Sequence, residues 1–245
     1  MFLRSKRNFH YFCKNCLKMD DQTIKQSLLD LYKRYWDGYI ENIRKTTFSA
    51  WPFLIWPRQS YSTAPVRIMI CGQETQGWGN ELDTTDPGLV SPRRIADIYN
   101  GFVNNGGYNS PYWNFSKRVA KAFPDARFVH ENIVKIGKRK GAGCDESIFR
   151  LGLEHFPVVR EEINILKPDL ILFLTGKDYD ERIRAVLGYF TSERIDADRY
   201  IKRLTFADPA LPPAIKTYHP GFLQRNGWYH DYANAIIGEI KQIIR

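Results

Sequence analysis

The chain has 245 residues, 43% of them hydrophobic, which is enough to bury one sizeable core in a single domain. No apolar run approaches the roughly 20 residues of a membrane span, and the basic segment 1–18 lacks the apolar centre of a secretory signal, so we expect neither a membrane partner nor secretion. The net charge of +9 permits binding to nucleic-acid phosphates, although a basic protein without such a partner fits it equally well.

The cysteine content and the N-terminal segment set the expected compartment and domain organisation. Four cysteines in a chain of this kind predict reduced thiols rather than a disulfide framework. We therefore expect a cytoplasmic monomer. Residues 1–21 are predicted to be a basic N-terminal extension, and residues 22–245 a single α/β domain.

The predicted elements begin with an amphipathic helix. Apolar residues recur at three- and four-residue steps over 22–45, and Asp20 or Asp21 is its expected N-cap. Several residue–proline pairs then predict an irregular connector from Phe48 to Pro65, because the residue before a proline avoids helical backbone.

The rest of the chain alternates strand patterns with helix patterns. Short, mainly apolar runs predict strands over Val66–Cys71 and Leu170–Leu174. Strands are also predicted over Arg127–Val134, 200–206 (an edge strand) and Ala214–Tyr218 (an inner strand). Helical patterns cover Trp113–Phe123, Phe156–Leu166, Asp178–Leu187 and Tyr229–Ile244. The Gly-, Asn- and Pro-rich segment Gln73–Pro111 is predicted to be a long loop, which is more often a functional surface than a filler. The alternation predicts a three-layer α/β/α sandwich with a mainly parallel central sheet.

Three polar residues lie at or just beyond the carboxyl ends of predicted strands: Glu74, Asn132 and His219. Ligands of open parallel sheets bind at that edge. The pattern alone therefore predicts that these side chains meet in one site.

Each of the three segments also has a plain structural interpretation. Gly72 lets the backbone turn sharply after a buried strand, and Gly72–Gly77 fits an ordinary turn or a phosphate site of backbone N–H groups. The spacing of a P-loop or of a dinucleotide fingerprint is missing. Asn132 fits the cap of a strand end, and His219-Pro220 fits a structural turn.

Taken together, the three segments resemble the uracil-DNA glycosylase superfamily. Gly72-Gln73-Glu74 is similar to the Gly-Gln-Asp of that superfamily, with Glu74 one methylene longer than the aspartate and Thr75 in place of a proline. Asn132-Ile133-Val134-Lys135 is similar to the Asn-Val-Val-Lys of the iron–sulfur type. His219-Pro220-Gly221 resembles the His-Pro-Ser or His-Pro-Ala motif. The likeness runs from about Val66 to Arg245.

The resemblance implies a DNA-repair hydrolase that flips a base out of DNA and cleaves its N-glycosidic bond. Glu74 would position water and stabilise the sugar cation, and His219 would donate a hydrogen bond to the departing base. Asn132, with Gln73, would read the base edge through its acceptor and donors. Contacts to DNA would come from Lys135, Lys138, Arg139, Lys140, Phe222, Leu223 and Arg225, with Phe222 or Leu223 as the wedge.

The ring that stacks on the flipped base has no clean match. Trp78, Tyr112 and Trp113 are the candidates, although packing is the ordinary role of such residues. Tyr112-Trp113 also resembles a Phe-Trp pair that opens a helix in the mismatch-specific branch.

The expected chemistry needs no cofactor or metal ion, but the cysteines leave an alternative open. Iron–sulfur-type members begin with a Cys-x-x-Cys pair, and Cys13 and Cys16 have that spacing. Cys144 is a further candidate ligand, while Ile136 occupies the place of an expected third cysteine. An iron–sulfur cluster through Cys13 and Cys16 is thus the less favoured prediction.

Two other functions also fit the sequence. One is a non-catalytic nucleic-acid-binding relative that keeps the fold and the pocket. The other is a Rossmann-like enzyme that acts on a small nucleoside or nucleotide.

Overall fold

The fold is built on a six-stranded sheet with strand order β2-β1-β3-β6-β5-β4. The computed structural model describes residues 19–46, 49–79, 82, 89–141, 143 and 145–244. The strands are β1 Val66–Gly72, β2 Ala126–Asn132, β3 Leu170–Phe173, β4 Phe190–Arg194, β5 Ile201–Phe206 and β6 Ala214–Thr217. Strands β2, β1, β3 and β6 are parallel, whereas β5 and β4 continue the sheet antiparallel.

Helices cover both faces of this sheet. One face carries α1 Asp21–Asn42, α2 Pro92–Asn104, α4 Glu146–His155, α5 Val159–Leu166 and α6 Asp180–Leu187, and the other carries α3 Pro111–Ala122, α7 Pro220–Arg225 and α8 Tyr229–Ile243. The predicted three-layer α/β/α sandwich with a mainly parallel sheet is therefore confirmed. None of the helices in the described part of the chain has the length and apolar character needed to cross a bilayer.

The alternation of side chains along the inner strands explains the two layers. In β1, Ile68 and Ile70 pack into the core on one face, and Met69 and Cys71 pack into the core on the other. Successive side chains of a strand point to opposite faces. A segment such as Ile68–Cys71, which is apolar at every position, must therefore be covered on both sides.

The helix starts follow local capping chemistry. The Asp20 carboxylate accepts the backbone N–H of Thr23 at 2.7 Å, so Asp20 is the N-cap of α1. Ser91 and Ser110 cap α2 and α3, and each helix begins with a proline. Proline suits this position because its missing N–H would have had no helical partner.

Several predicted elements were wrong. The segment predicted as a loop over Gln73–Pro111 contains α2. The predicted helix Phe156–Leu166 begins only at Val159, because Pro157 disfavours helical backbone at Phe156. The strand predicted over 200–206 is not an edge, since β4 pairs along its outer side. The segment after His219, where His219-Pro220 fitted a structural turn, forms the short helix α7. Most of the predicted N-terminal extension, residues 1–18, lies outside the described residues.

Candidate functional site

A cavity of about 680 Å³ lies at the carboxyl ends of β1, β2 and β6. Glu74 stands two residues beyond β1, Asn132 is the last residue of β2, and His219 stands two residues beyond β6. All three line the cavity. Their expected convergence is therefore confirmed, while the roles assigned to them stay predictions.

Gly72 allows the cavity floor to close around Asn132. It pairs with Asn132 across β1 and β2, and a Cβ at position 72 would lie 2.6 Å from Asn132 Oδ1 and 3.1 Å from a ring carbon of Tyr112. Only glycine tolerates both neighbours without displacement. Asn132 is 8% exposed, and no described residue hydrogen-bonds its side-chain amide group. That amide is therefore available to a ligand in the cavity.

The Glu74 carboxylate is held from the β3 side of the site. The Tyr179 hydroxyl donates a hydrogen bond to Glu74 Oε2. Burial raises the pKa of Glu74, while this hydrogen bond and the charges of Arg182 and Lys138 act in the opposite sense. No described residue hydrogen-bonds the other carboxylate oxygen, Oε1, which leaves it free to bind water.

His219 is held in one tautomer by its own helix. Its side chain caps α7, and Nδ1 accepts the backbone N–H of Gly221 at 3.1 Å. In the neutral ring, the proton therefore sits on Nε2. Burial lowers the pKa of His219, and the charge of Arg225 lowers it further, so the ring is a neutral Nε2–H donor near pH 7.

The cavity wall is rich in aromatic rings. The Tyr112 ring lies nearly parallel to the His219 imidazole, at an interplanar angle of 13° and a centroid distance of 6.2 Å. The stacking candidates Trp78, Tyr112 and Trp113 all line the cavity, as do rings that the sequence did not single out: Phe53, Phe102 and Tyr108. Phe102 was missed because its helix, α2, was predicted as a loop.

Gln73 links the segment after β1 to the segment after β3 through a side-chain hydrogen bond. Its Nε2 donates a hydrogen bond to the carbonyl of Thr175, beyond β3, at 2.7 Å. Gln73 also lines the cavity. One N–H of its amide is therefore used structurally, and the predicted contact with a base falls to the remaining polar atoms.

The expectation that Lys135 faces DNA is wrong. Its side chain is 4% exposed, and Nζ lies 2.9 Å from Glu131 Oε1 and 2.6 Å from Glu162 Oε1. A buried ammonium ion held by two carboxylates cannot reach a phosphate. The other cations of this loop differ, because Lys138 and Arg139 are half-buried and Lys140 is exposed. Their predicted contacts with DNA stay predictions.

Leu223 cannot serve as the wedge, because it is fully buried in the core between the sheet and α8. Helix α7 turns this side chain inward. Phe222 is half-buried, and its ring lies 4.5 Å from Tyr218 and 5.9 Å from Trp228, measured between centroids. Arg225 is exposed. Phe222 is thus the remaining candidate for the wedge.

The cysteines leave the cluster prediction untested. Cys13, Cys16 and Cys144 lie outside the described residues, and Cys71 is a buried residue of β1 whose thiol pKa is raised by burial. Within the described ranges, no three His, Cys, Asp or Glu side chains gather as a metal-ligand set. Ile136, at the place of an expected third ligand, is a core residue.

No protein-family model matches this sequence, and no curated protein matches it either. The resemblance to uracil-DNA glycosylases therefore rests on the three segments alone.

Proposed function

We propose that the protein is a uracil-DNA-glycosylase-like hydrolase that cleaves the N-glycosidic bond of a base flipped out of DNA. One observation carries the proposal: a carboxylate, a carboxamide without a partner among the described residues and a neutral imidazole donor line one cavity with aromatic walls. These are the groups that the chemistry requires. A flipped base needs a stacking surface and partners for its edge, and the reaction needs stabilisation of two developing charges.

His219 would stabilise the negative charge of the departing base. Negative charge grows on the base as the glycosidic bond breaks, and a fixed N–H donor stabilises it most when the donor needs no reorientation. The bond from the Gly221 N–H to Nδ1 fixes the ring and directs the proton to Nε2. The lowered pKa of His219 keeps the ring neutral.

Glu74 would stabilise the positive charge of the sugar and orient the attacking water. Positive charge develops on the sugar in an oxocarbenium-like transition state, and a nearby carboxylate stabilises it. Oε2 is anchored by Tyr179, so Oε1 is the oxygen that would orient the attacking water. A general base works best with a pKa near the working pH, and the pKa of Glu74 is shifted in that direction.

The Asn132 amide would hydrogen-bond the edge of the base. Its amide offers one acceptor and two donors, and pairing with N3–H and O4 would favour uracil over cytosine. The Tyr112 ring, which closes over Gly72, offers a face for stacking.

The proposal is tested by incubating the protein with uracil-containing single- and double-stranded oligonucleotides and assaying for alkali-sensitive abasic sites. We expect cleavage, and a loss of about 100-fold or more in Glu74→Gln. Glu193→Gln is the matched control, because Glu193 is exposed on β4. No cleavage by the wild-type protein, despite salt-sensitive binding to DNA, would reject uracil excision.

A second candidate is a non-catalytic nucleic-acid-binding protein of the same fold. The observation in its favour is that the Glu74 carboxylate already accepts a hydrogen bond from Tyr179, which is a structural role. Such a protein would bind oligonucleotides equally well with Glu74 or with glutamine at this position. Equal affinity without cleavage by either form would identify it.

A further inference from the structure

A second cavity, of about 700 Å³, lies along β2 and is lined by four cationic side chains: Lys25, Arg58, Lys117 and Arg127. No Asp or Glu of the described residues lines it, and none of the four cations forms an ion pair with a described carboxylate. The Asp21 carboxylate interacts electrostatically with Lys25. The Asp21 carboxylate also accepts hydrogen bonds from the backbone N–H groups of Ser60 and Ser62.

Local packing holds the cations around this space. The Arg58 guanidinium donates a hydrogen bond to the Val103 carbonyl at the end of α2. Lys117 lies over Gly106, which has φ +82°, and a Cβ there would lie 3.7 Å from Lys117 Cε. Arg127 Nη1 donates to the Ala126 carbonyl at 3.1 Å. Arg58 and Lys117 are exposed, and Lys25 and Arg127 are half-buried. Four like charges around one cavity create a positive potential that attracts an anion.

A buried histidine supplies an independent observation. His130 lines the same cavity and is 7% exposed. Its Nδ1 atom is buried without a hydrogen-bond partner among the described residues, and Nε2 lies 3.5 Å from Ser116 Oγ. Burial, assisted by the charge of Arg58, lowers the pKa of His130 to about 3, so the ring is neutral. Buried polar atoms normally have partners, so the His130 ring adds an unsatisfied polar group to the wall of this cavity.

The remaining wall offers groups that recognise a base. Gln59, Asn100 and Asn104 contribute carboxamides, although Asn104 already donates to Asn100 Oδ1 at 3.0 Å. Trp113 and Phe128 contribute aromatic rings. Trp113 also lines the candidate catalytic cavity, so the two cavities share this wall.

We propose that the basic cavity binds the phosphate of a nucleotide, with the cations on the phosphate and the carboxamides and rings beside the base. The nucleotide is either free or part of a nucleic-acid strand, since both present the same phosphate chemistry. This proposal does not depend on base excision, and its test uses binding alone.

The test compares two double variants that lower the net charge equally. Lys117→Gln with Arg127→Gln removes two cations of the cavity, whereas Lys121→Gln with Lys241→Gln removes two exposed cations that do not line it. Deoxyadenosine triphosphate is titrated by calorimetry, and a short single-stranded oligonucleotide by fluorescence anisotropy over a range of salt concentrations. Unchanged melting temperatures in both variants show that they are folded.

A free-nucleotide site predicts at least about tenfold weaker triphosphate binding in the cavity variant, with the control within about twofold of wild type. A strand site predicts that the slope of log affinity against log salt becomes shallower by about 1.4 for the oligonucleotide, again only in the cavity variant. Equal effects in the two variants, or no binding of either probe by wild type, would overturn the proposal.

A second measurement needs no variant. In the wild-type protein, bound nucleotide is expected to shift the His130 ring resonances in NMR spectra and to leave those of His219 unchanged. A shift of His219 without one of His130 would place the nucleotide in the candidate catalytic cavity and would also reject the proposal.

Discussion

Replacing Lys135 with methionine tests the buried charge network that lies beside the candidate site. Lys135 Nζ is held by Glu131 and Glu162, whose side chains are 0% exposed. The Tyr32 hydroxyl donates to Glu162 Oε1 at 2.6 Å. Methionine keeps most of the volume of lysine but removes the charge, which leaves two buried carboxylates without a cation.

The expected cost follows from this geometry. Removing one partner of a buried ion pair costs about 3–5 kcal/mol, because the other charge stays buried and uncompensated. For a chain of this size, each 1 kcal/mol lowers the melting temperature by about 2–4 °C, so we expect a fall of roughly 10 °C at pH 7.5.

The loss is also expected to depend on pH. Burial raises the pKa of Glu131 far above 4.5, the charge of Glu162 raises it further, and Lys135 opposes both. A raised pKa means that the folded state binds a proton more tightly than the unfolded state. Its contribution to stability is present below pH 4.5 and is lost as pH rises through the folded pKa. Lys135→Met removes the opposing charge, so the stability deficit is largest at pH 7.5 and shrinks towards pH 4.5.

Urea unfolding followed by tryptophan fluorescence measures both effects. Arg150→Met is the control, because Arg150 pairs with Glu146 at 3.0 Å on the surface, and such pairs contribute little. Adding Glu131→Gln to Lys135→Met should recover part of the loss. A deficit below about 1 kcal/mol, or one that is equal at both pH values, would refute the assigned network.

Three further predictions concern the site and its support. If the proposed base excision is the activity, Gly72→Ala should abolish it with little change in melting temperature, because the new methyl group would lie 2.6 Å from Asn132 Oδ1; a fully active variant would contradict this geometry. Tyr179→Phe removes a hydrogen bond that lowers the pKa of Glu74, so a pH–rate profile should lose activity on its acid side at a higher pH than wild type. Leu223→Ala should cost about 2–5 kcal/mol in urea unfolding, as a core truncation does, whereas an exposed wedge would cost almost nothing.

The sequence predicts the sheet well because its inner strands carry a local signal. Ile68–Cys71 and Leu170–Leu174 are continuous apolar runs, which indicate strands covered on both faces. The site position follows from the same runs, because parallel strands bring their carboxyl ends to one edge. Helix α2 was missed because the Gly- and Asn-rich sequence around it outweighed its own apolar repeat.

Other parts of the site have no local signal. Lys135 lies in a basic loop that looks solvent-exposed, and its burial depends on Glu162 in a distant helix. Likewise, Tyr179 reaches Glu74 from 105 residues further along the chain. When contacts between distant segments determine the position of a side chain, that position cannot be predicted from the neighbouring residues in the sequence.

Main-chain hydrogen bonds connect the segment after β1, which carries Glu74, to the segment after β2, which follows Asn132. After the strands end, the Ile133 N–H donates to the Gly72 carbonyl at 3.1 Å, and the Val134 N–H donates to the Gln73 carbonyl at 2.9 Å. The Asn132 N–H is in turn held by Glu131 Oε1 at 2.7 Å. The position of Asn132 therefore depends on main-chain bonds and on the buried network, and not on the Glu74 side chain. Under the proposed function, Glu74→Gln should consequently remove the carboxylate chemistry while the proposed base binding through Asn132 persists, so the variant separates the two proposed roles.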